Sequence, residues 1–156
     1  MVGLNIIIVV GTFLFMEFVA WATHKYVMHG FLWSWHKDHH QKNHNSIFEK
    51  NDRFFIFYAL VSISCIAAWN FGDFEYGLAI GLGIFMYGFT YFMIHDVFIH
   101  RRLRWFSKTE SVYGKAIRKA HKIHHKHLGK EDGECFGLLW VPSKYYNDYK
   151  DRSKSK

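Results

Sequence analysis

Twelve histidines stand in a chain of 156 residues, and ten of them fall into a spacing that repeats. His24 and His29 are followed by His36, His39 and His40; His95 and His100 are followed by His121, His124 and His125. The order is H-x4-H, H-x2-H-H, then the same two motifs again. Imidazole is the commonest side-chain metal ligand. Ten imidazoles exceed what one ion can use, so the pattern implies two metals in one site. An affinity tag would be one contiguous terminal run, and scattered surface histidines would not repeat two spacings.

Helical geometry says how such motifs could converge. At about 100° per residue, Tyr113, Ile117, His121, His124, His125 and Leu128 share one face of a helix predicted over 108–128. Lys115, Arg118, Lys119, Lys122 and Lys126 fall on the other side. Ser107 with Glu110 gives that helix a capping-box signature, and Gly129 is placed to end it. His127 lies off the histidine face and reads as solvated. His36, His39 and His40 span about 100° of a helix, and His44, one turn beyond His40, is left open by periodicity. An H-x4-H pair is separated by about 140° on a regular helix, which is awkward for one ion. Either two ions share each pair or the helix distorts, and Gly30 follows His29 where such a break would fall.

Imidazole suits zinc, copper, iron and nickel. Structural zinc usually takes four ligands, often with cysteine. Cys65 and Cys135 have no metal-ligand spacing and read as inert. Two ions with four or five nitrogens each would keep open coordination positions, which suits dioxygen chemistry. Attack on an unactivated C–H bond needs a redox metal, so iron is favoured over zinc. Soluble di-iron oxygenases use Glu and Glu-x-x-His on bundle helices, a carboxylate pattern absent here.

The elements that must carry these residues are apolar. Residues 4–23 hold one charge, Glu17, and residues 54–71 and 76–94 hold none. A membrane span needs about 20 apolar residues. The mean hydropathy of -0.10 conceals this, because it averages apolar stretches with basic ones. The chain is therefore expected to be an all-α integral membrane bundle with three spans, or four if residues 136–141 also enter the bilayer. A histidine-rich helical cap covers one end, and residues 1–156 form one domain. Lysine and arginine dominate the loop after the first span and the tail after the third, while Asp73 and Glu75 lie between the second and third. Positive loops stay in the cytoplasm. The N-terminus should face out, with all four histidine motifs on the cytoplasmic side. The first segment has no basic n-region and reads as a retained anchor, not a cleaved signal. Gly77, Gly81 and Gly83 would let helices approach closely in lipid.

The motifs resemble the membrane-bound non-haem di-iron superfamily of fatty acid hydroxylases and sterol desaturases. The stretches 21–30 (WATHKYVMHG), 35–40 (WHKDHH), 48–52 (FEKND), 95–102 (HDVFIHRR) and 120–125 (AHKIHH) are most similar to the bacterial β-carotene 3-hydroxylase branch. Residues 129–142, with GKE and FGLLWVP, are similar too, while 41–46 are more polar than that branch leads one to expect. The resemblance implies O2-dependent hydroxylation of β-ionone rings at C3, from β-carotene through β-cryptoxanthin to zeaxanthin, by two iron ions in the bacterial inner membrane. It implies electrons from reduced ferredoxin through a reductase, a hydrophobic carotenoid substrate and no nucleic-acid partner. The ten motif histidines would be the metal ligands. Glu17, Asp52 and Asp96 are candidates to orient imidazoles from behind, and Phe89, Tyr91 and Phe92 to line a polyene entrance. The alternatives are fatty acyl or sterol oxidation, or carotenoid ketolation, within the same superfamily.

Overall fold

The chain's single proline, Pro142, lies outside all three apolar runs, so nothing breaks their backbone ladders. The structure is a computed structural model that describes residues 2–42, 45–103, 105 and 108–154; His44 and Ser107 lie outside the described residues. In chain order the helices are α1 (Val2–Ala22), α2 (Trp33–His40), α3 (Asp52–Phe71), α4 (Gly77–Tyr91), α5 (Val112–His124) and α6 (Ser143–Lys154). Two π-helical segments continue the long helices, Thr23–Phe31 after α1 and Phe92–Ile99 after α4. No strand occurs among the described residues.

Three helical runs, Val2–Phe31, Asp52–Phe71 and Gly77–Ile99, are long and apolar enough to cross a membrane. Their outer faces expose Leu14, Ile63 and Phe85, as lipid contact requires. Residues 136–141 are irregular chain, so the described residues provide three spans and no fourth. The glycines of α4 are used for close approach. A Cβ on Gly83 would lie 2.6 Å from Thr12 Cβ and 2.8 Å from Val9 O, both on α1. A Cβ on Gly81 would lie 2.9 Å from Ser62 O on α3, and the Ser62 hydroxyl donates to Gly81 O at 2.7 Å. The middle span is thus pinched between its two neighbours.

The other three helices, α2, α5 and α6, cap one end of this bundle. Because α1 and α4 end there and α3 begins there, all histidine-bearing segments meet at the same end. A small apolar core (Ala116, Ile117, Ala120, Val141 and Tyr145) fixes α5 against α6 and the tail before it. The observed α5 is shorter than the predicted 108–128. Ser111 is its N-cap, accepting from Gly114 N at 3.4 Å. Past His124 the backbone tightens to i→i−3 bonds, Lys126 N to Ile123 O and His127 N to His124 O, so the helix stops before Gly129.

Candidate metal centre

His24 and His29 sit in one π-helical segment; His95 sits in the other, and His100 caps its C-terminal end. There the i→i+5 bond, such as His100 N to His95 O at 2.9 Å, brings residues five apart onto one face. The distortion foreseen from the spacing is therefore present in both halves. His24 and His29 have ring centroids 5.2 Å apart, and His95 and His100 4.5 Å. Gly30, at φ −102 and ψ −125, makes the break that turns the chain into α2.

Two groups of imidazoles result. His24, His29, His36, His40 and His124 can each offer a ring nitrogen with all five within 4.8 Å of one another. His39, His95, His100 and His121 do the same beside them. The H-x2-H-H motifs are split: His36 and His40 serve the first group and His39 the second, while His124 serves the first and His121 the second. His125 stacks on His40 at 4.5 Å and lies 4.7, 4.8 and 4.6 Å from His39, His100 and His121. It is thus adjacent mainly to the second group. All ten sequence-predicted histidines are brought together.

What stands behind the rings decides their chemistry. Nδ1 of His24 donates to Phe136 O (2.9 Å), His29 to Lys130 O (3.0 Å), His40 to His127 O (2.9 Å) and His124 to Glu134 O (2.8 Å). His36 Nδ1 donates to Asn51 Oδ1 and His39 Nδ1 to Glu49 Oε2, both at 2.7 Å. His95 Nδ1 faces Asp96 Oδ2 at 3.4 Å. These acceptors fix the proton on Nδ1 and leave Nε2 a bare lone pair. Yet the Nε2 atoms face one another: His24 and His36 at 3.1 Å, His36 and His40 at 3.1 Å, His29 and His124 at 3.3 Å, His39 and His95 at 3.2 Å. Two unprotonated nitrogens cannot hydrogen-bond. Nitrogens bound about 2.0–2.1 Å from one ion at neighbouring vertices would be about 2.9–3.4 Å apart, which matches. His125 Nε2 is buried with no hydrogen-bond partner. The donor set fits metal ions between the rings.

Electrostatics agree with neutral ligands. Burial, reinforced by neighbouring imidazoles, pushes His124 down to about 3 and His125 to about 2. Burial likewise takes His40 to about 4 and His36 to about 2, against the opposing pull of the Asn51 hydrogen bond on His36. His39, His100 and His121 are also driven well below the ordinary histidine value, first by burial. Neutral imidazole is the metal-binding form.

Local structure aims the acceptors. Asp38 Oδ2 on α2 accepts from Lys50 N (2.7 Å) and Asp52 Oδ2 from Glu49 N (3.0 Å), so the turn before α3 presents Glu49 and Asn51 to the rings. Arg102 ties this turn to the third span. Its guanidinium pairs with Glu49 (2.5 Å), Asp52 (2.8 Å) and Asp96 (3.0 Å). The Glu49 contact is an ion pair off the hydrogen-bond axis, since that nitrogen has no aligned acceptor. Sequence reasoning did not single out Glu49, Asn51 or Arg102 as functional, although all three fall inside the quoted stretches 48–52 and 95–102. Of the acids that it did single out, Asp96 faces His95 and Asp52 acts through Arg102 and the turn. Glu17 orients no imidazole directly. Its Oε1 accepts from the backbone N–H of Leu138 (2.9 Å), Leu139 (2.9 Å) and Trp140 (3.0 Å), and Oε2 accepts from the Tyr87 hydroxyl (2.7 Å). It thereby pins to the first span the tail that supplies the Lys130, Glu134 and Phe136 carbonyls. Cys135, between the last two, takes a left-handed φ of 61, which costs a non-glycine residue on the order of 1 kcal/mol. His127 contributes its carbonyl, not its ring.

Beside the histidines lies a cavity of about 380 Å³ between α1, α3 and α4, within the usual range for ligand pockets. Phe89, Tyr91 and Phe92, named from sequence as entrance residues, all line it, and His24, His95 and His121 stand at its inner end. Phe55, Ile63, Phe85 and Phe89 both line the cavity and are exposed on the outer surface, so it opens sideways between α3 and α4.

The family model described as "Fatty acid hydroxylase" matches residues 9–142. The chain belongs to the fatty acid hydroxylase family. Within it, a protein of Pantoea ananas named "Beta-carotene hydroxylase" is 38% identical over 138 residues, covering 88% of this chain and 78% of the relative. A protein of the same name from Paracoccus sp. (strain N81106 / MBIC 01143) is 33% identical over 140 residues, covering 88% and 85%. "Beta-carotene hydroxylase 2, chloroplastic" of Capsicum annuum is 34% identical over 139 residues, 85% of this chain and 43% of the longer plant protein. No solved structure matches the chain.

Proposed function

We propose that this member of the fatty acid hydroxylase family is a carotenoid hydroxylase, a single-domain monooxygenase that hydroxylates β-ionone rings at C3. β-Carotene would give β-cryptoxanthin and then zeaxanthin. Each turnover converts one C–H bond, O2, two electrons and two protons into C–OH and water. The relatives named β-carotene hydroxylase, in bacteria and plants, support the substrate class. The observation that carries the reading is the facing of unprotonated Nε2 atoms at the blind end of a cavity open towards lipid.

Two iron ions, one held by His24, His29, His36, His40 and His124, the other by His39, His95, His100, His121 and His125, would supply O2 activation and C–H oxidation. The protein's own contribution is positional. Phe136 O, Lys130 O, Asn51 and Glu49 fix the tautomers of His24, His29, His36 and His39, so the inward nitrogen of each is a ready donor. The apolar cavity seats the cyclic end of the substrate and excludes water, while the rest of the long polyene stays in the bilayer. The spans would lie in the bacterial inner membrane with the histidine end cytoplasmic, an orientation that the basic flanks support. Electrons from reduced ferredoxin fit this orientation, because the Lys and Arg face of α5 complements an acidic carrier.

Expression in a bacterium that accumulates β-carotene tests the reading. Zeaxanthin should appear, and His124→Ala should abolish it, since His124 is fully buried at the junction of the groups. Unchanged pigment, with protein in the membrane and reductant supplied, would overturn the assignment. Keto or acyl-chain products would transfer it to the ketolases or to the acyl-chain oxidases of the superfamily.

A further inference from the structure

The two histidine groups do not have the same backing. All five rings of the first group donate to neutral acceptors: the carbonyls of Phe136, Lys130, His127 and Glu134, and the Asn51 amide oxygen. In the second group, His39 donates to the Glu49 carboxylate at 2.7 Å and His95 faces the Asp96 carboxylate at 3.4 Å. Both carboxylates are shielded, with side chains 6% and 11% exposed. Arg102 offsets only part of this charge, because it also serves Asp52: three carboxylates share one guanidinium. Asn51 and Glu49 are two residues apart on the same turn, so one short loop delivers an amide to one group and a carboxylate to the other.

An imidazole that donates to a carboxylate is a stronger electron donor through its other nitrogen than one that donates to a neutral carbonyl. A buried anion also favours a nearby cation more than an exposed one does. We infer that the two metal positions are electronically unequal, and that the His39, His95, His100, His121 and His125 position is the more electron-rich. It binds a divalent cation more tightly and stabilises the higher oxidation state of a redox metal more strongly. Glu49 is the positioning residue that sets the difference, and Asn51 keeps the other position neutral. This inference rests on the two-metal reading above.

Cobalt(II) titration of the purified, metal-stripped full-length chain in detergent tests it, followed by calorimetry and visible absorption. The wild type should bind two equivalents in two separate steps. His36→Ala should remove the weaker step. Glu49→Gln, which keeps the shape and removes the charge, should weaken the tighter step by about 10–100-fold and leave the weaker step and its cobalt spectrum unchanged. Asn51→Asp should tighten the weaker step and narrow the gap, giving an opposite shift that a merely destabilised fold could not produce. Coincident steps in the wild type would overturn the inference while leaving two metals. So would a Glu49→Gln variant that weakens both steps equally. No cobalt bound by the wild type would overturn the two-metal reading, and the inference with it.

Discussion

A histidine ligand is defined as much by the atom behind it as by the metal before it. Seven of the ten imidazoles have that atom identified here, and four of the seven acceptors are backbone carbonyls of the turn and tail that follow α5. This divides what the sequence could tell from what it could not. The ten rings were legible because a spacing repeated twice has few other causes. Their partition between two groups was not legible: His36 and His40 lie one turn apart, but which neighbour His39 turns to depends on where the third span docks. Backbone carbonyls leave no mark in a sequence at all, since every residue has one. Glu17, whose place in an apolar span suggests an aid to imidazole, holds tail N–H groups instead, because an acid in a span seeks whatever donors pack against it. Arg102 carries a sharp test at this scale. It is 15% exposed and faces Glu49, Asp52 and Asp96. Arg102→Met would leave three carboxylates without their shared cation. Loss of one partner from a buried ion network costs about 3–5 kcal/mol. The variant should melt well below the wild type in detergent and lose metal more readily, as measured by thermal unfolding and elemental analysis. An unchanged melting temperature would show that the network contributes nothing to the fold.

At the level of elements, the π-helical segments reconcile sequence and geometry. Five-residue spacing disagrees with an α-helix and agrees with an i→i+5 ladder, so the motif itself asked for a distortion that hydropathy could not reveal. The apolar spans were readable from composition alone, because lipid demands a continuous run. The limits of α5 are not legible for a definite reason: Ser107 and Ser111 both precede Val112 in the sequence, and capping chemistry alone does not choose between them. The glycines of α4 were ambiguous in sequence, since lipid tolerates glycine at any depth. The structure shows contact instead. Gly83→Val would put new atoms within 2.6 Å of Thr12 Cβ and against the Val9 carbonyl of α1, where only backbone movement relieves the clash. Overpacking of this kind costs about 1–3 kcal/mol. Thermal unfolding in detergent should show that loss, together with a fall in bound metal, because α1 leads directly into His24 and His29. Gly3→Val, with nothing within 4 Å, should leave both unchanged.

Taken whole, the molecule joins a polar pocket of imidazoles to an apolar cavity that opens through the side of the bundle. The opening matters more than the volume. A cavity of about 380 Å³ could hold the cyclic end of a C40 polyene but not its length, so the remainder must pass out between α3 and α4. That exit is wide because Gly88 presents no side chain there, and the nearest atom to a Cβ built on it is Phe55 Cε2 at 3.9 Å. Substitution at Gly88 therefore separates passage from chemistry. Gly88→Phe would set a ring into the channel from a Cβ that itself meets nothing nearer than Phe55 Cε2 at 3.9 Å. Metal content and melting temperature should stay at wild-type values, while zeaxanthin formation from β-carotene falls by more than tenfold. Gly88→Ala, which adds one methyl group in ordinary contact, should retain most of the activity. If Gly88→Phe hydroxylates at the wild-type rate, the polyene does not leave between α3 and α4, and the substrate must reach the histidines from the cap instead.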